Sequence, residues 1–163
     1  MTSSILPPST SGSANIESWF EYPIRVQPHH TDYGGVVWHG AYITWMETAR
    51  VECLRAFGSS LEDVVRSGYD LPVVRLDVRY RRPLTLGTAA VVKTRLAPIN
   101  GIRLSWLYEI ETVGPEPVTC LTGQVILVPV DVARRRAVRR MPEKIKEIMV
   151  KVSASFGANE SSV

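Results

Sequence analysis

The first third of the chain carries apolar residues at the spacing of an amphipathic helix. Seven apolar positions recur at offsets of three, four and seven residues: Tyr42, Trp45, Met46, Ala49, Cys53, Ala56 and Phe57. Polar residues such as Thr44 and Glu52 lie largely off this stripe. Gly58 follows the last apolar position, and glycine readily adopts the left-handed conformation that ends a helix. The pattern predicts one long helix from about His39 to Phe57.

Alternation of apolar and polar residues, which is typical of half-buried strands, dominates the chain after residue 70. It is clearest in two series: Val74, Leu76, Val78, Tyr80 and then Ile102, Leu104, Trp106, Tyr108, Ile110. Further strands are expected over residues 18–27, 88–96 and 118–130, with turns at 100–101 and 114–117. A short helix is expected near residues 61–66 and another over residues 141–151.

The predicted elements follow the order strand, long helix, short helix and then four strands joined mainly by hairpins. This order predicts an α+β fold in which a long central α-helix is wrapped by a curved antiparallel β-sheet of about five strands. Such a sheet leaves edges and an outer face exposed, and natural proteins cover these surfaces by pairing. Leu107, Val125 and Leu127 are expected on the outward side, where they would form a partner surface. We therefore expect the protein to self-associate.

Length and composition limit the chain to one folded domain. Its 163 residues suffice for one core and not for two. Residues 1–16, rich in Ser, Pro and Gly, are expected to be a disordered tail, residues 17–150 the folded domain, and residues 151–163 a frayed C-terminal tail. No stretch approaches the ~20 apolar residues of a membrane span or the apolar run of a signal peptide. We therefore expect a cytoplasmic protein with two reduced cysteines.

One carboxylate stands just ahead of the predicted long helix. Asp32 is followed by Gly34 and Gly35, a short apolar stretch and then the helix start near His39. That start lacks a Ser, Thr, Asp or Asn cap, so its first N–H groups have no obvious side-chain acceptor and can bind an oxygen ligand. A base and an oxyanion site therefore fall within one segment. The alternative is an ordinary turn aspartate, worth ~1 kcal/mol to the fold.

The segment around this aspartate has a recognisable motif. It resembles the motif of the 4-hydroxybenzoyl-CoA thioesterase family of hotdog-fold acyl-CoA hydrolases, and the matching positions are Thr31-Asp32, Gly35-Val36-Val37-Trp38-His39, Tyr42 and Glu47-Thr48-Ala49-Arg50. The resemblance extends over roughly residues 20–148, the size of one domain. It implies a hotdog fold, a homodimer or homotetramer with the acyl site between subunits, and no cofactor beyond the coenzyme A of the substrate.

The resemblance also implies roles for individual residues. Asp32 becomes the catalytic carboxylate, acting as nucleophile or general base, and the backbone N–H of His39 polarises the thioester carbonyl with Gly40 beside it. The imidazole of His39 is a further catalytic candidate. Expected substrate contacts are Tyr33, Val37, Trp38, Tyr42 and Glu47. The aromatic residues among them suit an aryl acyl group, but they can equally belong to the core, and short aliphatic acyl groups fit the pattern as well.

Positive charge is concentrated in a few segments of the chain. The formal net charge is +3, and it would be −2 without the five arginines at positions 134, 135, 136, 139 and 140. We expect the phosphates of coenzyme A to bind Arg79, Arg81, Arg82, Arg134 and Arg135, with a solvated basic surface as the alternative. Nucleic acid is a poor fit, because aromatic residues are not interleaved with the basic ones and no recognition motif occurs.

Three histidines precede or begin the helix. Related sequences often carry Tyr-Tyr-Glu-Asp where this chain has Gln27-Pro28-His29-His30, and His30 is close enough in sequence to interact with Asp32. Metal binding is not expected, because His29, His30 and His39 lack the spacing of a metal site and the two cysteines form no Cys-x-x-Cys pair.

The leading functional hypothesis is hydrolysis of an acyl-CoA thioester. A catalytically silent module that binds acyl-CoA or an acyl carrier would share the pocket and the basic residues, and would differ only in whether the carboxylate of Asp32 reacts. A hydratase or dehydratase of the same architecture is a weaker alternative, because such enzymes pair an aspartate with a histidine inside a hydration motif that this chain lacks.

Overall fold

The computed structural model describes residues 18–156, and their helices and strands follow the predicted order. Three helices are formed: α1 (His39–Ala56), α2 (Leu61–Arg66) and α3 (Glu143–Ala154). Eight strands are formed: β1 (Phe20–Arg25), β2 (Tyr69–Asp70), β3 (Val73–Tyr80), β4 (Ala89–Leu96), β5 (Leu104–Thr112), β6 (Thr119–Leu127), β7 (Val130–Asp131) and β8 (Arg136–Ala137). A short 3₁₀ turn, Pro28–His30, joins β1 to the loop that contains Asp32.

The five long strands form one antiparallel sheet in the order β1-β4-β5-β6-β3. Helix α1 lies over β4 and β1, and the short strands form a second sheet in the order β2-β7-β8. One long helix packed on a five-stranded antiparallel sheet confirms the α+β prediction.

The core lies between α1 and the sheet. The four apolar positions that alternate along β5 are at most 2% exposed, as predicted: Leu104, Trp106, Tyr108 and Ile110. From α1, the predicted stripe supplies Tyr42, Trp45, Met46, Ala49 and Cys53, all buried. The two-residue and helical periods of the sequence therefore identify the inner faces of these two elements correctly.

The predicted outward surface is wrong at two of its three residues. Val125 and Leu127 are 3% and 4% exposed and belong to the core. Val125 lies opposite Trp106 and Leu127 opposite Leu104, and residues opposite each other in an antiparallel pair share a face of the sheet. Leu107 lies opposite Gln124 on the other face and is half-buried.

Strand β3 shows the opposite difference: alternation predicts a buried apolar face, but most of its apolar residues are exposed. Leu76 lies opposite the buried Val125, so it is on the core side of the sheet, yet it remains 40% exposed. Val73, Val74 and Tyr80 are also about half exposed. The physical reason is position: β3 is the last strand of the sheet, whereas α1 lies over the strands at the other edge. Alternation identifies the face of a strand but not what covers it.

The C-terminal helix is longer than predicted. Helix α3 continues to Ala154, and Val152 and Phe156 are buried against the core, so the predicted frayed tail, residues 151–163, begins with ordered residues. The remainder of that tail and the predicted N-terminal tail, residues 1–16, lie outside the described residues. The two-residue strands β2, β7 and β8 were not predicted, because such short elements carry no periodic signal.

Candidate active site

The loop between the 3₁₀ turn and α1 holds Asp32 in a tight local network. Its Oδ1 accepts a hydrogen bond from the amide of Gly34 at 2.8 Å and a longer one from the amide of Val36 at 3.4 Å. The backbone of Asp32 also bonds to Val36 and Gly35, and Gly35 has a φ of +79°, which favours glycine. Oδ2 has no hydrogen-bond partner among residues 18–156. One carboxylate oxygen is thus fixed by the turn and the other is available.

Helix α1 begins without a side-chain cap, as predicted. Trp38 occupies the capping position and its side chain accepts no hydrogen bond. The amide of Ala41 donates to the carbonyl of Trp38, whereas the amides of His39 and Gly40 donate to no acceptor within the described part of the chain. Two adjacent donors at the positive end of an 18-residue helix thus lack an acceptor among the described residues; His39 lines the cavity of Asp32, and Gly40 is outside its lining.

Asp32 and the start of α1 line one open cavity of about 360 Å³. The other lining residues are Val37, His39, Tyr42, Tyr80, Arg81, Arg82 and Pro83. A carboxylate, a helix start and two guanidinium groups therefore share one space. Asp32 and His39 are exposed at this opening, while Val37 and Tyr42 form its buried floor.

Two tyrosines connect the helix start to the neighbouring strand and loop. The hydroxyl of Tyr80 donates to the carbonyl of His39 at 2.8 Å, and the hydroxyl of Tyr42 accepts from the amide of Leu84 at 3.1 Å. Their rings pack edge to face, with centroids 5.5 Å apart. Burial raises the pKa of both hydroxyls above the ordinary value, so both are neutral at physiological pH.

Trp38, an expected substrate contact, lines a second and larger cavity and is outside the lining of the Asp32 cavity. Its indole lies on the first turn of α1, so close to Gly40 that a Cβ there would be 2.1 Å from a ring carbon. The second cavity, about 520 Å³, lies between β1 and α1 and is lined by Trp38, His29, His30 and Trp45 among others. It contains neither Asp32 nor His39.

His30 lines this second cavity and not the cavity of Asp32. Its Nδ1 accepts from the amide of Gln27 at 2.9 Å, and its ring packs edge-on against Trp45. Burial, followed by the charge of the neighbouring His29, lowers the pKa of His30. The predicted interaction between His30 and Asp32 is therefore absent from the described hydrogen bonds and ion pairs.

Several residues expected at the site lie elsewhere in this chain. Tyr33 is fully exposed at the tip of the loop, and Glu47 lines a different cavity two turns along α1. Arg81 and Arg82 are at the site, but Arg79 is outside its lining. Arg134 and Arg135 lie in the turn between β7 and β8, where Arg134 pairs with Asp131.

The site also contains residues that were not expected there. Tyr80 was interpreted only as an alternating strand residue, and Pro83 was not singled out at all. Their presence depends on the end of β3 lying beside the start of α1, a long-range contact without a local sequence signal. The only indication in the sequence that the end of β3 belongs to the site was the adjacent pair Arg81 and Arg82, which had been assigned to phosphate binding.

Within residues 18–156, no group of three or more histidine, cysteine, aspartate or glutamate side chains is arranged to hold a metal ion. None of the helices formed by these residues has the length and apolar character needed to cross a membrane.

A family model, related sequences and solved structures all show similarity between this chain and thioesterase-like proteins. The model of the thioesterase-like superfamily matches residues 26–149. A Synechocystis protein named "Putative esterase sll0410" is 48% identical over 160 residues, covering 90% of this chain and 94% of that protein. The acyl-CoA thioester hydrolase YbgC of Escherichia coli is 29% identical over 126 residues, covering 77% of this chain and 92% of the relative. The solved DHNA-CoA thioesterase of Staphylococcus aureus aligns with a TM-score of 0.74 at 27% identity, covering 88% of this chain and 97% of its own.

Proposed function

Because the chain belongs to the thioesterase-like superfamily, we propose that it hydrolyses acyl-CoA thioesters to a free acid and coenzyme A. The family and the hotdog fold expected from the motif are both confirmed. The observation that carries the proposal is the shared cavity: Asp32 lines the same space as the uncapped start of α1. Thioester hydrolysis needs these two features together, a group that activates or performs the attack and donors for the oxygen that becomes negative.

In this proposal the thioester carbonyl points at the free amides of His39 and Gly40. Asp32 either removes a proton from the attacking water or attacks the carbonyl carbon itself to form an anhydride that water then hydrolyses. In both routes the carbonyl oxygen gains negative charge, which the two amides and the helix end stabilise. The carbon–sulfur bond then breaks and coenzyme A leaves as a thiolate that takes up a proton.

A single turnover in H₂¹⁸O identifies an anhydride that water opens at the Asp32 carbonyl carbon. Attack by activated water, like opening of the anhydride at the acyl carbon, places ¹⁸O in the first acid molecule that each site releases. Hydrolysis of an anhydride at the Asp32 carbonyl carbon instead places ¹⁸O in the side chain of Asp32, and mass spectrometry of the peptide containing residue 32 detects it.

Arg81 and Arg82 are the residues that we propose for the phosphates of coenzyme A. Both line the cavity of Asp32, and guanidinium groups bind phosphate oxygens through paired, charge-assisted hydrogen bonds. The Nε of Arg81 donates to Thr122 at 3.3 Å, which orients this side chain across the end of β3. Arg79, Arg134 and Arg135 remain proposals with less support, because they are outside this lining.

For the acyl group we propose an aromatic or short-chain structure. The aromatic pair Tyr42 and Tyr80 forms one wall of the cavity, and edge-to-face contact with an aryl ring is favourable there. The cavity volume of about 360 Å³ is at the small end of ligand pockets. Both properties favour compact acyl groups over long chains.

We also propose that the active form is a homodimer or a homotetramer. Among residues 18–156, strand β3 is an unpaired sheet edge with four exposed apolar residues, Val73, Val74, Leu76 and Tyr80. Pairing of two copies along this edge would bury them and satisfy the free backbone groups. Because Tyr80 lines the cavity of Asp32, this seam would border the catalytic site. A cytoplasmic location belongs to the proposal as well, and the two buried free cysteines suit a reducing compartment.

The test is hydrolysis of a panel of acyl-CoA esters, followed as release of free thiol. The panel pairs benzoyl-, hydroxybenzoyl- and dihydroxynaphthoyl-CoA with acetyl-, butyryl- and palmitoyl-CoA. We expect turnover of at least one aryl or short-chain ester and weak turnover of palmitoyl-CoA. If the protein binds these esters without releasing thiol, and Asp32→Asn binds them equally well, a non-catalytic binding module replaces the enzyme as the better description.

A further inference from the structure

A third cavity lies halfway along α1, apart from the site of Asp32. It encloses about 220 Å³ between α1, α3 and the segment that joins β2 to β3. Arg50 lines it, eleven residues after His39, so the two sites are separated by ~16 Å along the helix axis. Apolar side chains form most of its walls, among them Val51, Leu54, Leu61, Trp106, Leu127 and Met149.

Arg50 is a buried cation with little compensation. It is 9% exposed, and its only hydrogen bond within the described chain runs from Nη1 to the hydroxyl of Tyr108 at 3.1 Å. It forms no ion pair with residues 18–156. Burial raises the pKa of Tyr108, against the opposing effect of the Arg50 charge, so the phenol stays neutral and leaves that charge unbalanced.

The unbonded nitrogens of Arg50 are accessible from the cavity. No side-chain nitrogen of Arg50 is both sealed from solvent and unbonded within the described chain, so its remaining guanidinium nitrogens retain an accessible surface. Removing a charge from water is costly unless an opposite charge and hydrogen bonds replace the water. The guanidinium, with five N–H donors in a planar fork, matches a carboxylate most closely.

Two carboxylates of the chain itself also line the cavity, and both are exposed. Glu47 and Asp70 lie at its rim, and Asp70 Oδ1 already accepts from the amide of Leu71 at 2.8 Å. Water screens exposed charges strongly, whereas the field of the buried guanidinium acts in a medium of lower dielectric constant. The carboxylates of Glu47 and Asp70 therefore repel a bound carboxylate at the entrance, whereas the guanidinium of Arg50 attracts it in the interior. An acid would bind with its charged end inward.

We propose that this cavity binds a small carboxylic acid with a compact apolar body, held by its carboxylate on Arg50. A cavity of ~150 Å³ accommodates benzene, so about 220 Å³ holds a ring of that size together with a carboxylate. The apolar walls suit such a body. The site is independent of Asp32, and the acid produced by thioester hydrolysis is of the chemical class that it would bind.

The experiment titrates the full-length protein with benzoate, and with benzamide as the neutral ligand of the same shape, by isothermal titration calorimetry. We expect benzoate to bind and benzamide to bind roughly tenfold more weakly. Arg50→Gln should weaken benzoate binding by roughly tenfold or more, and Arg50→Lys by less, because it keeps the charge but not the fork. Asp32→Asn should bind benzoate as the wild type does.

Equal binding of benzoate and benzamide, or loss of benzoate binding in Asp32→Asn but not in Arg50→Gln, would overturn the inference. If Arg50→Gln does not fold, Val51→Phe replaces it, because the larger side chain fills the cavity from a half-buried position on α1 and should abolish binding. Retained benzoate binding in a folded Val51→Phe protein would contradict the site. A wild type that binds benzoate through Arg50 but hydrolyses no acyl-CoA ester would reject the proposed function alone.

Discussion

At the scale of single residues, Gly40 and Trp38 have the sharpest steric relation in the site. A Cβ at position 40 would lie 2.1 Å from the indole of Trp38. We predict that Gly40→Ala displaces the indole, lowers stability by about 1–3 kcal/mol and alters tryptophan fluorescence. Urea unfolding and emission spectra check both effects.

The double variant supplies the control for this prediction. In a Trp38→Ala background the obstruction is gone, and Ala at position 40 should be neutral or stabilise the helix by up to about 1 kcal/mol relative to Gly. A cost of Gly40→Ala that is equal in both backgrounds would contradict the steric explanation.

A second prediction concerns His30 and acid stability. Burial and the charge of His29 lower its pKa from the ordinary 6.5, so the folded state binds this proton more weakly than the unfolded state. The stability that the neutral His30 contributes to the folded state is fully present above pH 6.5. It is lost as the pH falls through the lowered pKa of His30 in the folded state. The urea midpoint should therefore fall less between pH 7.5 and pH 5 in His30→Gln than in the wild type.

His29→Gln is the matched control for this measurement. It removes only the smaller cause of the lowered pKa, so most of the pH dependence should remain. If His29→Gln flattens the profile as much as His30→Gln does, the dependence does not arise from the burial of His30.

The residues of the site divide into those that sequence could predict and those that it could not. Asp32 and His39 were predictable because both belong to one contiguous segment, and a missing cap can be read directly from the residues before a helix. Tyr80 and the buried role of Arg50 were not predictable. Each depends on a contact between elements that are distant in the chain, Tyr80 with His39 and Arg50 with Tyr108.

At the scale of elements, the start of α1 is fixed from outside by β3. The hydroxyl of Tyr80 donates to the carbonyl of His39, the residue whose amide faces the proposed oxyanion. We predict that Tyr80→Phe costs about 1 kcal/mol of stability and lowers kcat/KM several-fold by loosening the first turn. Urea unfolding and steady-state kinetics measure the two effects.

Tyr22→Phe is the control for Tyr80→Phe, because it removes the same atom from a hydroxyl that makes no hydrogen bond with the described residues. It should leave both quantities near the wild-type values. Equal losses in the two variants would argue against a specific role for the bond between β3 and α1.

Helices and strands with a clear hydrophobic periodicity were predictable from the sequence. Which other elements cover them was not. The helical stripe gave α1 to within one residue at its end, and alternation gave β5 and β3. Alternation alone could not distinguish the covered β5 from the exposed β3, because coverage is set by the order of strands in the sheet. The same limitation led to the wrong outward assignment of Val125 and Leu127.

At the scale of the whole molecule, the exposed edge of β3 is the feature that a single chain does not explain. We predict that Leu76→Lys, which places a charge among the exposed apolar residues of this strand, shifts the protein to monomer and reduces activity. Light scattering coupled to size-exclusion chromatography measures the mass. Val113→Lys changes a residue of greater exposure away from β3 and should leave the assembly intact.

An unchanged mass for Leu76→Lys, with a wild type that is larger than a monomer, would place the interface on another surface. A wild type that is monomeric and fully active would reject the assembly altogether. Sequence alone could only propose self-association, from the open edges of the expected sheet, and two of the three residues named for that surface, Val125 and Leu127, are buried in the core.

The most direct test of the account is the rate of acyl-CoA hydrolysis by Asp32→Asn under saturating substrate. Asn retains an oxygen that can accept from Gly34, so the loop should persist while the group that activates water or attacks is lost. We predict a fall in kcat of about 10²–10⁴-fold with substrate binding preserved, and an unchanged kcat for the exposed control Glu116→Gln. A kcat for Asp32→Asn within about twofold of the wild type would contradict the catalytic role of this carboxylate.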